Sequence, residues 1–126
     1  MEAILLIHPD PVLRGELTMI LRDSGFHVVS VSGEQEALAG ISNVRPDLIL
    51  LAEGSHRLNG DDLCGRIREI CQTPIIIMGQ EREEAAGIEL LEMGADAYLT
   101  SPLNSRKLLA RVRSLLRRYR MHREVI

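Results

Sequence analysis

The sequence predicts an α/β domain with a parallel sheet and helices on both of its faces. Three observations lead there. First, five short apolar or β-branched runs, at residues 3–7, 26–31, 48–52, 74–78 and 96–100, are separated by segments whose apolar residues recur at helical spacing. Second, strict alternation of strand and helix implies parallel pairing through right-handed crossovers. Third, the run Leu48, Ile49, Leu50, Leu51 is continuously apolar and bounded by Pro46 and Gly54, the pattern of a strand covered on both sides. Chemistry in such sheets sits just past the carboxyl ends of the strands. At that place this chain carries Ala52, a methyl group that can neither accept a phosphoryl group nor bind a metal.

Each element has a local reason. Residues 3–7 form a buried strand, and Asp10 followed by Pro11 reads as a helix N-cap with proline in the first turn. Leu13, Leu17, Ile20 and Leu21 recur at helical spacing, and Gly25 closes that helix. Ser32 with Gln35 resembles a capping box, ahead of a short helix faced by Ala37, Leu38 and Ile41. After the third strand, residues 54–60 read as a polar loop. Asp61 or Asp62 is placed to start a helix carrying Leu63, Ile67 and Ile70. Gly79 opens another polar loop, followed by a helix with Ala86, Leu90, Leu91 and Met93. Ser101-Pro102 makes a turn, and Leu108, Leu109, Val112, Leu115 and Leu116 mark the last helix. The expected domain is 1–118. The arginine-rich residues 119–126 lose apolar periodicity and read as a basic tail or the start of a linker.

Composition narrows the function classes. In 126 residues, 45% are hydrophobic, enough for a core, and a net charge of -3 argues against a chain that binds nucleic acid as a whole. No apolar run approaches the length of a membrane span, and the first residues lack the basic region of a signal peptide. Cys64 and Cys71, on one helix roughly 10 Å apart, are too distant for a disulfide. A cytoplasmic protein is expected.

In detail the chain resembles a bacterial response-regulator receiver domain, over nearly its whole length. The likeness is carried by residues 4–7 followed by Asp10-Pro11-Val12-Leu13-Arg14, by residues 46–51, and by residues 60–69 with Arg66-Ile67-Arg68-Glu69. Residues 74–77, Gly94-Ala95-Asp96-Ala97-Tyr98-Leu99-Thr100 and residues 108–113 complete it. The resemblance implies a flavodoxin-like, doubly wound five-stranded sheet in the order 2-1-3-4-5. It implies the winged-helix transcription-factor branch, but in the form of a pseudo-receiver.

The departures from the family pattern fall on its chemistry. The two acids that would hold Mg²⁺ after the first strand correspond to His8 and Pro9, with Asp10 next to them. The phosphoacceptor aspartate corresponds to Ala52, the hydroxyl residue after the fourth strand to Gly79, and the phosphate-pairing lysine to Ser101. Phosphoryl transfer to a carboxylate needs a nucleophile, a metal and a cation on the transferring oxygens. Lys107, the single lysine, lies in the last helix. Glu53 should point away from the pocket if the third strand continues. His8 alone, or His8 with Asp10 and Glu53, offers a formal metal donor set that nothing in the sequence enforces. No catalytic residue, metal or cofactor is therefore expected.

Two other features remain. The family's switch aromatic corresponds to Tyr98. With no side chain at Gly79 to be drawn inward, Tyr98 is expected to be set by packing or by a partner. The face formed by the fourth helix, fifth strand and fifth helix pairs two receivers in the transcription-factor branch. Ile88, Leu91 and Leu109 match its apolar patch, and Asp96 with Arg111 and Glu92 with Arg113 match two of its rim bridges. A third bridge is lost at Gly87 and Lys107. The expected function is phosphorylation-independent regulation in a two-component pathway, through a protein partner or a homodimer and through an effector domain not present in this sequence. The chain itself is expected to bind neither nucleic acid nor membrane. The alternative is a small-ligand or metabolite sensor using the emptied pocket. An enzyme is the weakest reading, because no nucleophile–base pair is visible.

Overall fold

A computed structural model describes residues 1–53, 63–80, 88–89, 91–100 and 104–125, with side chains described as far as Met121. Strands β1 (Ala3–Ile7), β2 (His27–Val31), β3 (Leu48–Ala52), β4 (Ile75–Gly79) and β5 (Ala97–Thr100) form one parallel sheet in the order β2-β1-β3-β4-β5. The described helices are α1 (Pro11–Asp23), α2 (Glu34–Val44), α3 (Leu63–Ile70) and a C-terminal helix (Ser105–Val125). Residues 88–89 and 91–92 are also helical, within the helix expected between β4 and β5. The expected starts at Asp61 and Asp62, the loop at 54–60, Ala86, Leu90, and the Ser101-Pro102 turn lie outside the described residues.

Side-chain alternation divides the core into two layers. Ile4, Leu6, Leu48, Leu50, Ile76, Met78, Ala97 and Leu99 face α1 and the C-terminal helix. Leu5, Ile7, Ile49, Leu51, Ile75 and Ile77 face α2 and α3, through Ala37, Ile41, Leu63, Cys64 and Ile67. Both surfaces of every central strand are thus buried, which is why β1, β3 and β4 read as unbroken apolar runs.

Two aspartates pin the amino ends of the strands in the same way. Asp47 Oδ2 accepts from the Ala3 amide at 2.7 Å, and Asp96 Oδ2 accepts from the Ile75 amide at 2.8 Å. Each also donates its own amide back across the pair, Asp47 to Ala3 O and Asp96 to Ile75 O. First-strand amides that would otherwise be unpaired are satisfied, and the start of each pairing is fixed.

One local expectation is corrected. The N-cap of α2 is Gly33, with no side-chain cap bond, so Ser32 and Gln35 do not form the capping box. The Glu36 carboxylate instead lies against the space where a Gly33 side chain would stand, one register later than expected. The C-terminal helix runs from Ser105 through the arginine-rich stretch to Val125, and Arg120 reaches Glu2 at 3.6 Å. The basic stretch continues the helix because Leu115, Leu116 and half-buried Tyr119 keep an apolar side on the domain. No described helix is long and apolar enough to cross a membrane.

Candidate functional site

Sheet register brings the candidate residues to one edge. Ile7 pairs with Leu51, Ala52 with Met78, and Gly79 with Thr100. His8, Pro9 and Asp10 therefore follow β1 beside Ala52 and Glu53, with Gly79 next across and Tyr98 on β5. Ser101 lies outside the described residues.

The β1–α1 turn is tied to itself. Asp10 caps α1, its Oδ1 accepting from Val12 N at 2.9 Å and Leu13 N at 3.3 Å. The Asp10 amide donates to His8 Nδ1 at 3.1 Å, which leaves the ring's other nitrogen to carry the proton of the neutral form. Arg14 donates to His8 O at 2.8 Å, and the His8 amide to Val31 O at 3.0 Å. Burial lowers the pKa of His8 below its ordinary value, with Arg14 acting in the same direction and Asp10 opposing.

Ala52 is 5% exposed and ends β3. Glu53 does not continue the strand, which corrects the premise on which its direction was judged. Glu53, Gly79 and Tyr98 share one side of the sheet edge, and the Glu53 carboxylate fills the room beside Gly79. A side chain at Gly79 would begin 3.0 Å from Glu53 Cβ and 2.7 Å from Tyr98 Oη, and closer still to Glu53 Oε2. Tyr98 packs half-buried on the α2–α3 layer. Its hydroxyl donates toward Glu53 Oε2 at 3.2 Å and toward Gln80 O.

These donors do not fit Mg²⁺. That ion requires several oxygens converging with near-octahedral geometry. Here Asp10 is turned to the start of α1, Glu53 is turned to Tyr98, and Ala52 supplies a methyl. Among the described residues, no three His, Cys, Asp or Glu side chains converge on a common point. The set His8, Asp10 and Glu53 is therefore not assembled.

On the neighbouring surface, Ile88 and Leu91 are 48% and 45% exposed. Leu109 packs partly buried against the α1-side core, and Glu92, Arg111 and Arg113 are exposed. Asp96 has an internal commitment that the sequence did not reveal. Besides the Ile75 amide it holds Arg68 at 2.7 Å, and Arg68 also donates to Gly94 O at 2.9 Å and Thr73 O at 2.6 Å. The Glu53–Gly79–Tyr98 contact was likewise missed. A glycine opposite an acid in register was the available signal.

Comparison with known proteins agrees with this architecture. The profile of the response regulator receiver domain matches residues 4–113. The chain is similar to the DNA-binding response regulator MtrA of Mycolicibacterium smegmatis, 35% identical over 117 residues, covering 93% of this chain and 51% of that protein. It thus spans about half the length of the curated relatives it matches. Among solved structures, a two-component response regulator from Clostridium difficile superposes with a TM-score of 0.85 at 31% identity, covering 94% of this chain and 98% of that one. The BeF3-activated N-terminal receiver domain of Klebsiella pneumoniae RstA superposes with a TM-score of 0.82 at 30% identity, covering 92% and 99%.

Proposed function

This chain belongs to the response regulator receiver domain family, and we propose that it is a pseudo-receiver, signalling through protein contacts without aspartyl phosphorylation. One observation carries the reading. At the carboxyl edge of the sheet Ala52, which we take as the phosphoacceptor position, presents a methyl, and the carboxylates of Asp10 and Glu53 are committed to a helix cap and to Tyr98. Among the described residues a phosphoryl group would find neither a nucleophile nor a metal-binding set to offset its charge.

The output would be a surface. Exposed Ile88 and Leu91 with half-buried Leu109 offer an apolar patch, and Glu92, Arg111 and Arg113 a charged rim, suited to a second copy related by a two-fold axis. Asp96 contributes less to that rim than its sequence position suggests, since Arg68 and the Ile75 amide hold it. In a longer regulator such a surface would pass the signal to an effector domain; the MtrA relative is a DNA-binding response regulator. The ligand-sensor reading draws no support from the site, because the room left by Gly79 is taken by Glu53.

Incubation with acetyl phosphate, or with beryllofluoride, each with Mg²⁺, tests the proposal. Intact mass should not change after acetyl phosphate, and ¹⁹F spectra should contain no protein-bound beryllofluoride. A stoichiometric adduct by either route would overturn it.

A further inference from the structure

We infer that Glu53 is the positioning residue of the output face: its carboxylate occupies the room at Gly79 and holds the Tyr98 hydroxyl inward. The inference rests on the pseudo-receiver reading and adds what sets Tyr98 in place of phosphorylation.

The sequence and fold jointly produce this contact. β3 ends at Ala52, so Glu53 leaves the strand opposite Gly79, the last residue of β4. β4 pairs with β5 so that Ile77 is level with Tyr98, which sets the tyrosine ring on the same layer. The phenol has one proton to give. It faces two acceptors, the Glu53 carboxylate and the Gln80 carbonyl just past Gly79. The tyrosine thus ties the end of β3 to the loop leaving β4. Gly79 is as necessary as Glu53, because a side chain there would begin inside the volume of the carboxylate and only 2.7 Å from the Tyr98 oxygen. The carboxylate is the flexible end of a longer side chain, so it is the group that would be displaced. A side chain at position 79 and the Glu53–Tyr98 contact are therefore mutually exclusive.

Mutual exclusion makes the inference testable by a double-mutant cycle with Glu53→Ala, Gly79→Ser and the double variant. The chain has two tyrosines and no tryptophan, so a Tyr119→Phe background leaves Tyr98 as the sole tyrosine reporter. Gly79→Ser alone should lower the folding equilibrium constant by about tenfold, and in the Glu53→Ala background by no more than about twofold, since residues in contact couple in this way. Glu53→Ala alone should flatten the near-ultraviolet circular dichroism of Tyr98 and raise its quenching by acrylamide, while Glu53→Gln, which keeps a hydrogen-bonding oxygen, should retain most of the native signal. If Gly79→Ser does not fold, refolding in the double variant counts for the latch and continued unfolding against it. An additive cycle, or a Tyr98 signal unchanged by Glu53→Ala, would overturn it. Those results would leave the phosphorylation-independent reading standing, and a phosphoryl adduct would sink that reading while leaving the cycle intact.

Discussion

Asp96→Ala separates a structural clamp from a dimer-rim charge. Asp96 accepts from the Ile75 amide at 2.8 Å and from Arg68 at 2.7 Å. Ile75 is fully buried, so removing the carboxylate strands an amide away from water, at a cost of about 1–3 kcal/mol. The ion pair adds less. The Asp96 side chain is 40% exposed and that of Arg68 18%, so solvent screening holds the pair to about 0–1 kcal/mol. The total expected loss is about 1–4 kcal/mol. Asp96→Asn keeps an acceptor for the Ile75 amide and loses the charge, so it should recover more than half of that. Urea unfolding followed by circular dichroism, at several protein concentrations, measures both variants. The loss should be the same at every concentration, because the contacts lie within one chain. If Asp96→Ala leaves the monomer within about 0.5 kcal/mol of the parent and weakens only self-association, the clamp assignment is wrong.

Other outcomes follow from the same contacts. His8 titrates below its ordinary value when folded, so the unfolded chain binds more protons in that window. Stability should therefore fall as pH drops through about 6.5 toward the lower folded value, and urea midpoints for His8→Gln should lose that part of the pH dependence. Asp10→Ala removes the cap of α1 and should cost about 1 kcal/mol, while Asp10→Asn should cost far less; equal losses would contradict a capping role. Ile88→Arg and Leu91→Arg should leave the urea midpoint of the monomer unchanged, since both side chains are largely exposed. Analytical ultracentrifugation should show weakened self-association in both, and an unaffected dimer would move the interface elsewhere.

Much of this protein could be read along the chain. The bounds of β1, the Asp10-Pro11 start of α1 and the identity of every strand were legible because a buried strand needs an unbroken apolar run, and a helix start needs an acceptor beside its free amides. Likewise, that Ala52 offers a methyl and Gly79 only a hydrogen needed no coordinates. The α2 start was misplaced by one residue, because Ser32 and Gln35 carry the capping-box pattern while the helix begins after Gly33 with no side-chain cap. Where the last helix ends was also hidden. Arginines carry no apolar period, yet the helix continues to Val125 beyond a buried side that Leu115 and Leu116 had already established.

What the sequence determined alone was the sheet and its two apolar layers, since each depends on residue type and local spacing. What only the tertiary structure decided was the partner of each leftover carboxylate. Asp10 turns to a helix end, Asp96 to Arg68 and a strand amide, and Glu53 to Tyr98 across an empty Gly79. Those choices join residues up to 45 positions apart, and they are set by strand register and by where a strand stops.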